Sequence, residues 1–277
     1  MNKINIDVTE VRKSKLGKQI AHGQCSEIFI YENSKVCKLF HDFTSPFDFE
    51  NEYNVSIAAM SVGIPVPNVY GAVQIENRLG IIFDRIEGRD MDVDSLSRLW
   101  RLKNNVRDFV DLQKRFHEVV APNNLISQNE MLEEWIIRSN PLPKRLRDAA
   151  VKALGRLPEG HQFCHGDYHF GNVILSVNGP AIIDWQTGNA GNPLGDIAAT
   201  EILLLVPIVP SMLFHILLPY TNKRATLYRQ YCENLPWFNE EEYRIRLFVA
   251  TAARIANVLH NRNAVRYLRK IVELPYD

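Results

Sequence analysis

HGDYHFGN occupies residues 165–172, and IIDW follows at 182–185 after a short apolar run. Together they set Asp167, Asn172 and Asp184 in an order that suits phosphoryl transfer. One carboxylate can accept a hydrogen bond from an acceptor hydroxyl, while an amide oxygen and a second carboxylate hold magnesium against a nucleotide's phosphates. Each residue also has a plainer reading, as a turn-capping Asp, a turn amide and an end-of-strand carboxylate. The combination favours the chemical one. An Asp directly after Ala181-Ile182-Ile183 is costly beside apolar neighbours unless it has a charged partner.

Composition narrows the class. A chain of 277 residues, 46% hydrophobic and 23% charged, has the make-up of a globular protein with ample core. Basic and acidic residues balance at 32 each, so no basic excess points to nucleic acid. Cys25, Cys37, Cys164 and Cys232 show no CxxC or zinc-finger spacing and read as reduced thiols. The start, MNKINIDVTEVRKSK, has no apolar signal core, so a cytoplasmic location is expected. Residues 202–219 are nearly all apolar and approach a membrane span, but Pro207 and Pro210 interrupt them. A buried helix, a Pro-rich turn and a second buried helix is the simpler expectation, with no membrane partner.

The chain changes character near residue 87. Before it, runs 19–31 and 35–40 read as strands separated by Glu32-Asn33-Ser34. Val36, Lys38 and Phe40 then share one strand face. A helix follows, with Ser45 as N-cap, Pro46 in the first position and Asp48 completing a capping-box-like pattern. Gly63 and the segment Ile64-Pro65-Val66-Pro67 end it. Runs 69–75 and 79–83 read as a hairpin joined by Glu76-Asn77-Arg78. After Gly88 the pattern turns helical. Residues 96–119 carry Leu99, Leu102, Val106, Phe109, Val110 and Phe116 near a 3.6-residue period. Segments 132–137 and 146–154 are shorter helices. Short strands are expected at Phe163-Cys164, 173–175 and 181–183, the last two joined by Asn178-Gly179-Pro180, and helices again from Leu194 onward.

The ordered pieces resemble the aminoglycoside phosphotransferase and choline kinase-like family, a relative of the protein kinases. The pieces are Gly23 in HGQCSEIFIY, Lys38 in KVCKLF, Glu52 in FENEYNVSIAAM, GIPVPNVYG, IIFDRIEG, HGDYHFGN, IIDW and GNPLGDIA. The likeness runs from about residue 20 to 199 and weakens in the last eighty residues. It implies an α+β, bilobal, protein-kinase-like fold: a small antiparallel-sheet lobe with one helix over 1–87, and a larger, mostly helical lobe over 88–277.

The resemblance also implies roles. Asp167 orients the acceptor hydroxyl, and Asn172 and Asp184 hold magnesium. Lys38 reaches the phosphates of ATP or GTP, oriented by a glutamate of the following helix. Glu52 has the better spacing for this, and Glu50 stays open. Backbone N–H groups near Gly23 and the Ser26 hydroxyl would take the phosphates, in the absence of a full GxGxxG. Phe83 to Ile86, including Asp84, resembles the hinge whose main chain meets the adenine edge. Asp196 of GNPLGDIA is expected to tie the loop after the metal-binding strand to the next helix. His165 is expected to orient its loop, and His117 to pack in the core. A zinc site from His161, His165 and His169 needs a helix that Gly160 and Gly166 oppose. The reaction expected is transfer of the terminal phosphate to a small-molecule hydroxyl. The alternatives are a dedicated aminoglycoside or other antibiotic O-phosphotransferase, or a nucleotide-binding pseudokinase without turnover.

The acceptor stays open at this level. Residues 197–277 hold ten Lys and Arg against seven Asp and Glu, whereas a polycationic aminoglycoside would favour an acidic wall. Glu240-Glu241-Glu242 is the local exception. A choline site would want an aromatic cage, for which Trp185, Trp237, Phe238 and Tyr243 offer rings. Oligomeric state is not legible.

Overall fold

The computed structural model describes residues 6–32, 34–206, 211–257 and 262–272. The chain divides into two compact units. One is Met1–Met91 with Gly171–Gly188, and the other is Asp92–Phe170 with Asn189–Asp277. The division expected from composition lay at residue 87 and assigned 171–188 to the second lobe. Strand pairing explains the difference. β7 (Gly88–Asp90) pairs antiparallel with β9 (Val173–Ser176), which pairs in turn with β10 (Gly179–Ile182). A side chain at Gly88 would collide with the Leu175 carbonyl, so glycine permits this close approach.

The main sheet of the first unit holds six strands in the order β1-β5-β6-β4-β3-β2. They are β1 (Val8–Glu10), β2 (Leu16–His22), β3 (Ser26–Tyr31), β4 (Lys35–Phe40), β5 (Val69–Ile75) and β6 (Arg78–Asp84). Run 19–31 is thus two strands closed by a turn. All pairs are antiparallel except β1 with β5, so the sheet is mixed. β5 and β6 form the expected hairpin.

Alternation along β4 sorts its side chains to two faces. Cys37 and Leu39 pack with Val73, Ile75 and Ile82. Val36 and Phe40 pack on the other face with Ala72, Ile81, Phe83 and Phe49. Phe49 belongs to α1 (Pro46–Ser61), whose N-cap Ser45 accepts a hydrogen bond from the Phe47 N–H at 3.2 Å. Gly63 follows the helix with φ +77°, a left-handed stop. The buried stripe of α1 runs Phe49, Glu52, Val55, Ser56 and Ala59. Glu52 therefore lies in the middle of an apolar face, and Glu50 lies off it.

The second unit is mostly helical: α2 (Met91–Ser97), α3 (Leu102–His117), α4 (Gln128–Arg138), α5 (Lys144–Leu154), α6 (Pro193–Leu205), α7 (Ser211–Cys232), α8 (Glu240–Asn257) and α9 (Arg262–Val272). β8 (Gln162–Cys164) pairs antiparallel with β11 (Asn189–Gly191). Its core joins Leu132 and Ile136 of α4 with Leu154, Ile202, Phe248, Ala252 and Leu268.

Two helical expectations change. The single helix over 96–119 breaks, because Arg98 leaves helical geometry at φ −137°, ψ 66°, and a 3-10 turn (Leu99–Arg101) intervenes. The buried Asp94 carboxylate accepts from Arg98 and Asn105 side chains at 3.0 and 3.1 Å, which fixes the bend. Leu99 is consequently 61% exposed, off the apolar stripe it was assigned to. The second half of the 202–219 segment is also not a buried helix, since Ile216 of α7 is 69% exposed. The Pro-rich turn at 207–210 lies outside the described residues. No helix among the described residues is long and apolar enough to cross a membrane.

Candidate active site

A cavity of about 910 Å³ opens in the first unit. Its size falls in the range of small-molecule and cofactor sites. Gly23, Ser26, Lys38, Glu52, Asp84, Ile86, Asn172 and Asp184 all line it, with Ile20, Ile28, Val36, Phe83 and Ile174 as apolar wall. Asp167 lies in the second unit.

Lys38 is the electrostatic centre of the cavity wall. Its Nζ lies 2.6 Å from both Glu52 carboxylate oxygens and 2.6 Å from Asp184 Oδ1. The sequence explains how: Lys38 shares the α1-facing side of β4, and Glu52 is the one acid in the α1 stripe that meets it. Glu52, not Glu50, is therefore the partner of Lys38. Burial works against the Lys38 charge, but the carboxylates of Asp184 and Glu52 outweigh it and hold the ammonium protonated. Burial pushes the Glu52 carboxyl up, to about 7, against the pull of Lys38.

Asp184 takes a left-handed backbone, φ +64°, unusual for a residue with a side chain. Its side chain keeps 42% exposure, while Asn172 is 5% exposed. The chain around them is pinned. Ile183 N–H donates to the Asn172 carbonyl at 3.0 Å and Ile182 N–H to the Pro65 carbonyl at 2.8 Å. Asn51 of α1 donates to the carbonyls of Gln186 and Gly188 at 2.8 and 3.0 Å. Asn51 escaped sequence reasoning, and its signal was a polar residue beside Glu52 on a helix that packs against the sheet. Trp185 is buried and its indole N–H reaches the Ile182 carbonyl, so it is core rather than part of an aromatic cage.

Two expected contacts are already used within the chain. The Gly23 N–H donates to the Ser26 carbonyl at 2.8 Å, closing the β2–β3 turn, so it is not directed at a ligand. The Asp84 N–H donates to the Asn68 carbonyl at 3.0 Å, and its carboxylate accepts from Asn68 and Tyr70 side chains at 2.6 and 2.7 Å. Arg85 N–H bonds the Ser34 carbonyl at 2.8 Å. Ile86, further along this segment, lines the cavity.

In the second unit, the loop bearing Asp167 is built from its own sequence. Tyr168 stacks on Phe109 with ring centroids 4.0 Å apart, and Phe170 meets the same ring at 4.8 Å. The N–H groups of His165 and Gly166 donate to Asp196 Oδ1 at 3.1 and 2.8 Å. Asp196 Oδ2 accepts from Gln113 Nε2 at 3.2 Å, with His117 Nε2 at 2.9 Å. Asp196 therefore ties the 165–166 loop to α3, rather than the loop after the metal-binding strand to the next helix. Burial works to raise its carboxyl, but His117 and the Gly166 N–H outweigh this and hold it below the ordinary range. Asp167 N–H donates to His165 Nδ1 at 3.3 Å, the loop-orienting role expected of that histidine. Its carboxylate accepts from Arg254 Nη1 at 3.2 Å, and His169 Nε2 lies 3.7 Å away. Arg254 also escaped sequence reasoning. His117, Cys164 and Asp196 place one donor atom each within 4.8 Å of one another. Burial keeps the Cys164 thiol well above its usual pKa, so this trio reads as a packing network, not a thiolate metal site.

A sequence model of the phosphotransferase enzyme family matches residues 17–201. No curated protein matches the chain. Among solved structures, a thermostable mutant of aminoglycoside phosphotransferase APH(4)-Ia, in a ternary complex with ADP and hygromycin B, is similar at TM-score 0.62 and 13% identity, covering 92% of this chain and 91% of that one. A choline/ethanolamine kinase family protein from Mesorhizobium loti is similar at TM-score 0.63 and 14% identity, covering 95% and 90%. Choline kinase from Cryptosporidium parvum gives TM-score 0.60 at 14% identity, covering 94% and 88%. The shared architecture is the bilobal α+β kinase-like fold. The chain belongs to the phosphotransferase enzyme family, and in class it is a small-molecule kinase.

Proposed function

We propose that the chain transfers the terminal phosphate of ATP to a hydroxyl group of a small molecule. The first unit binds the nucleotide, and the second supplies Asp167 and the acceptor contacts. The observation that carries this reading is the Lys38–Glu52–Asp184 cluster on the wall of a nucleotide-sized cavity.

Lys38 lends a fixed positive charge to the phosphates, and Glu52 holds its ammonium in place. The apolar wall of Ile20, Ile28, Val36 and Phe83 suits a planar base, with Ile86 offering main-chain hydrogen bonds. Asn172 and Asp184 fit magnesium by their chemistry: an amide oxygen and an exposed carboxylate, both lining the cavity, are hard-oxygen donors. Bound there, the metal would neutralise phosphate charge. Asp167 accepts the hydrogen bond of the acceptor hydroxyl and takes its proton. The hydroxyl oxygen forms the new bond to the terminal phosphorus, and the bond from phosphorus to the bridging oxygen breaks. ADP carries away that electron pair.

Asp167→Asn tests the assignment. ATP affinity should persist, while kcat falls by about 10²- to 10⁴-fold, the usual contribution of a positioned base. Unchanged turnover would remove Asp167 from the role.

A further inference from the structure

We propose that the acceptor alcohol carries an anionic group and that Arg254 receives it. This rests on the reading of Asp167 as the group that meets the acceptor hydroxyl, and it deepens that reading by naming the acceptor class.

Arg254 reaches from α8 to Asp167, with Nη1 3.2 Å from Oδ1. Both side chains touch solvent, at 18% and 27% exposure. A guanidinium carries several N–H donors in a rigid fork, so holding one carboxylate oxygen does not exhaust it. An acceptor that brings its hydroxyl to Asp167 brings its neighbouring atoms to this fork. An anionic group there gains charge-assisted, bidentate hydrogen bonds, and an ammonium there meets a fixed positive charge.

Several of the acids and rings that could serve a cationic acceptor are engaged within the chain. Glu240 is paired with Arg229 and Arg244, Glu233 with Arg229, and Glu242 with Arg246. Glu201 accepts from the Tyr243 hydroxyl and lies 3.9 Å from Arg229. The rings of Tyr243 and Phe238, two of the four that could line a choline cage, lie 3.6 and 4.8 Å from the Arg229 guanidinium. Arg262, Arg266 and Lys270 of α9 line a cavity of about 580 Å³ and carry no ion pair among the described residues.

The same recognition serves a carboxylate or a phosphate, and the acceptor panel separates them. With ATP and magnesium, ADP release is measured for 4-hydroxybutyrate against 4-hydroxybutyramide, and for glycerol phosphate against glycerol. Choline and kanamycin form the cationic arm. At least one anionic acceptor should exceed its neutral counterpart by about 10- to 100-fold in kcat/KM, the value of one charged hydrogen-bonded contact. Arg254→Gln should erase that ratio, chiefly through KM, and Arg254→Lys should restore part of it. A purely structural arginine would leave the ratio unchanged. Preference for a neutral or cationic acceptor, no turnover of any anionic acceptor, or a ratio that survives Arg254→Gln overturns the proposal. Asp167→Asn in the same panel separates the two readings. If turnover survives Asp167→Asn, the role of Asp167 fails. If it collapses while the ratio survives Arg254→Gln, only the acceptor inference fails.

Discussion

Asp184 Oδ1 lies 2.6 Å from the ammonium of Lys38, although 146 residues separate the two in sequence. Glu52 closes on the same nitrogen from α1, at 2.6 Å. One buried cation thus organises two acids of opposite exposure. Glu52 is shut in, and Asp184 faces the cavity.

Removing that cation should expose the imbalance. Lys38→Met removes the charge that pulls Glu52 down, so the buried carboxyl must take up a proton or stay charged without a partner, and stability falls by about 1–3 kcal/mol. Lys38→Met with Glu52→Gln should recover much of this loss, because the amide needs neither the proton nor the partner charge. Urea denaturation of both variants checks the prediction, and equal stabilities would contradict it.

Asp184→Asn separates stability from activity. Asparagine tolerates the left-handed backbone at φ +64° as well as aspartate does. Lys38 also keeps Glu52. The melting temperature should therefore move by only a few degrees, equivalent to about 1 kcal/mol. Magnesium-dependent nucleotide affinity should fall by at least about 10-fold, read by calorimetry with and without the metal.

Asp196→Asn should unfasten the loop that carries Asp167. Two backbone N–H groups, Gln113 and His117 converge on this buried carboxylate. A loss of about 3 kcal/mol is expected at neutral pH. The pH dependence has a defined sign. The folded carboxyl sits below its ordinary value of 3.8, so its stabilisation is in place above that pH. It fades as pH falls through the lower folded value. The acid limb of the stability curve should be shallower in Asp196→Asn than in the native chain.

The thiols report on packing and on the cavity together. Burial pushes Cys37 and Cys232 up to about 12 and keeps Cys164 well above its usual value. These three should resist alkylation at neutral pH until the chain unfolds. Cys25, half-buried in the β2–β3 turn between Gly23 and Ser26, should label fastest in the native state. Magnesium and ATP should slow its labelling. Mass spectrometry of labelled peptides checks both expectations, and fast labelling of Cys37 would contradict the packing described.

Much of the local architecture was legible because it leaves local patterns. Period-two alternation put Lys38 on the face of Val36 and Phe40, and Ser45-Pro46 announced the start of α1. Features that depend on distant partners left no such trace. Arg254 meets Asp167 across 87 residues and looks like any helical arginine. Asn51 serves carbonyls more than 130 residues away. The break at Arg98 is set by the Asp94 side chain, and hydrophobic spacing does not record it. The Gly23 N–H is committed by closure of the β2–β3 turn and the Asp84 N–H by an extension of the β5–β6 pairing to Asn68, neither of which residue type alone determines. The parallel pairing of β1 with β5 likewise joins segments that share no adjacent turn.

Phosphorus NMR of the chain with ATP, magnesium and the acceptor panel follows the transfer itself. The terminal-phosphate resonance of ATP should disappear as ADP and a new phosphomonoester signal grow, and Asp167→Asn should suppress that signal. Growth of inorganic phosphate alone across every acceptor, or an unchanged ATP spectrum, would contradict the proposed transfer.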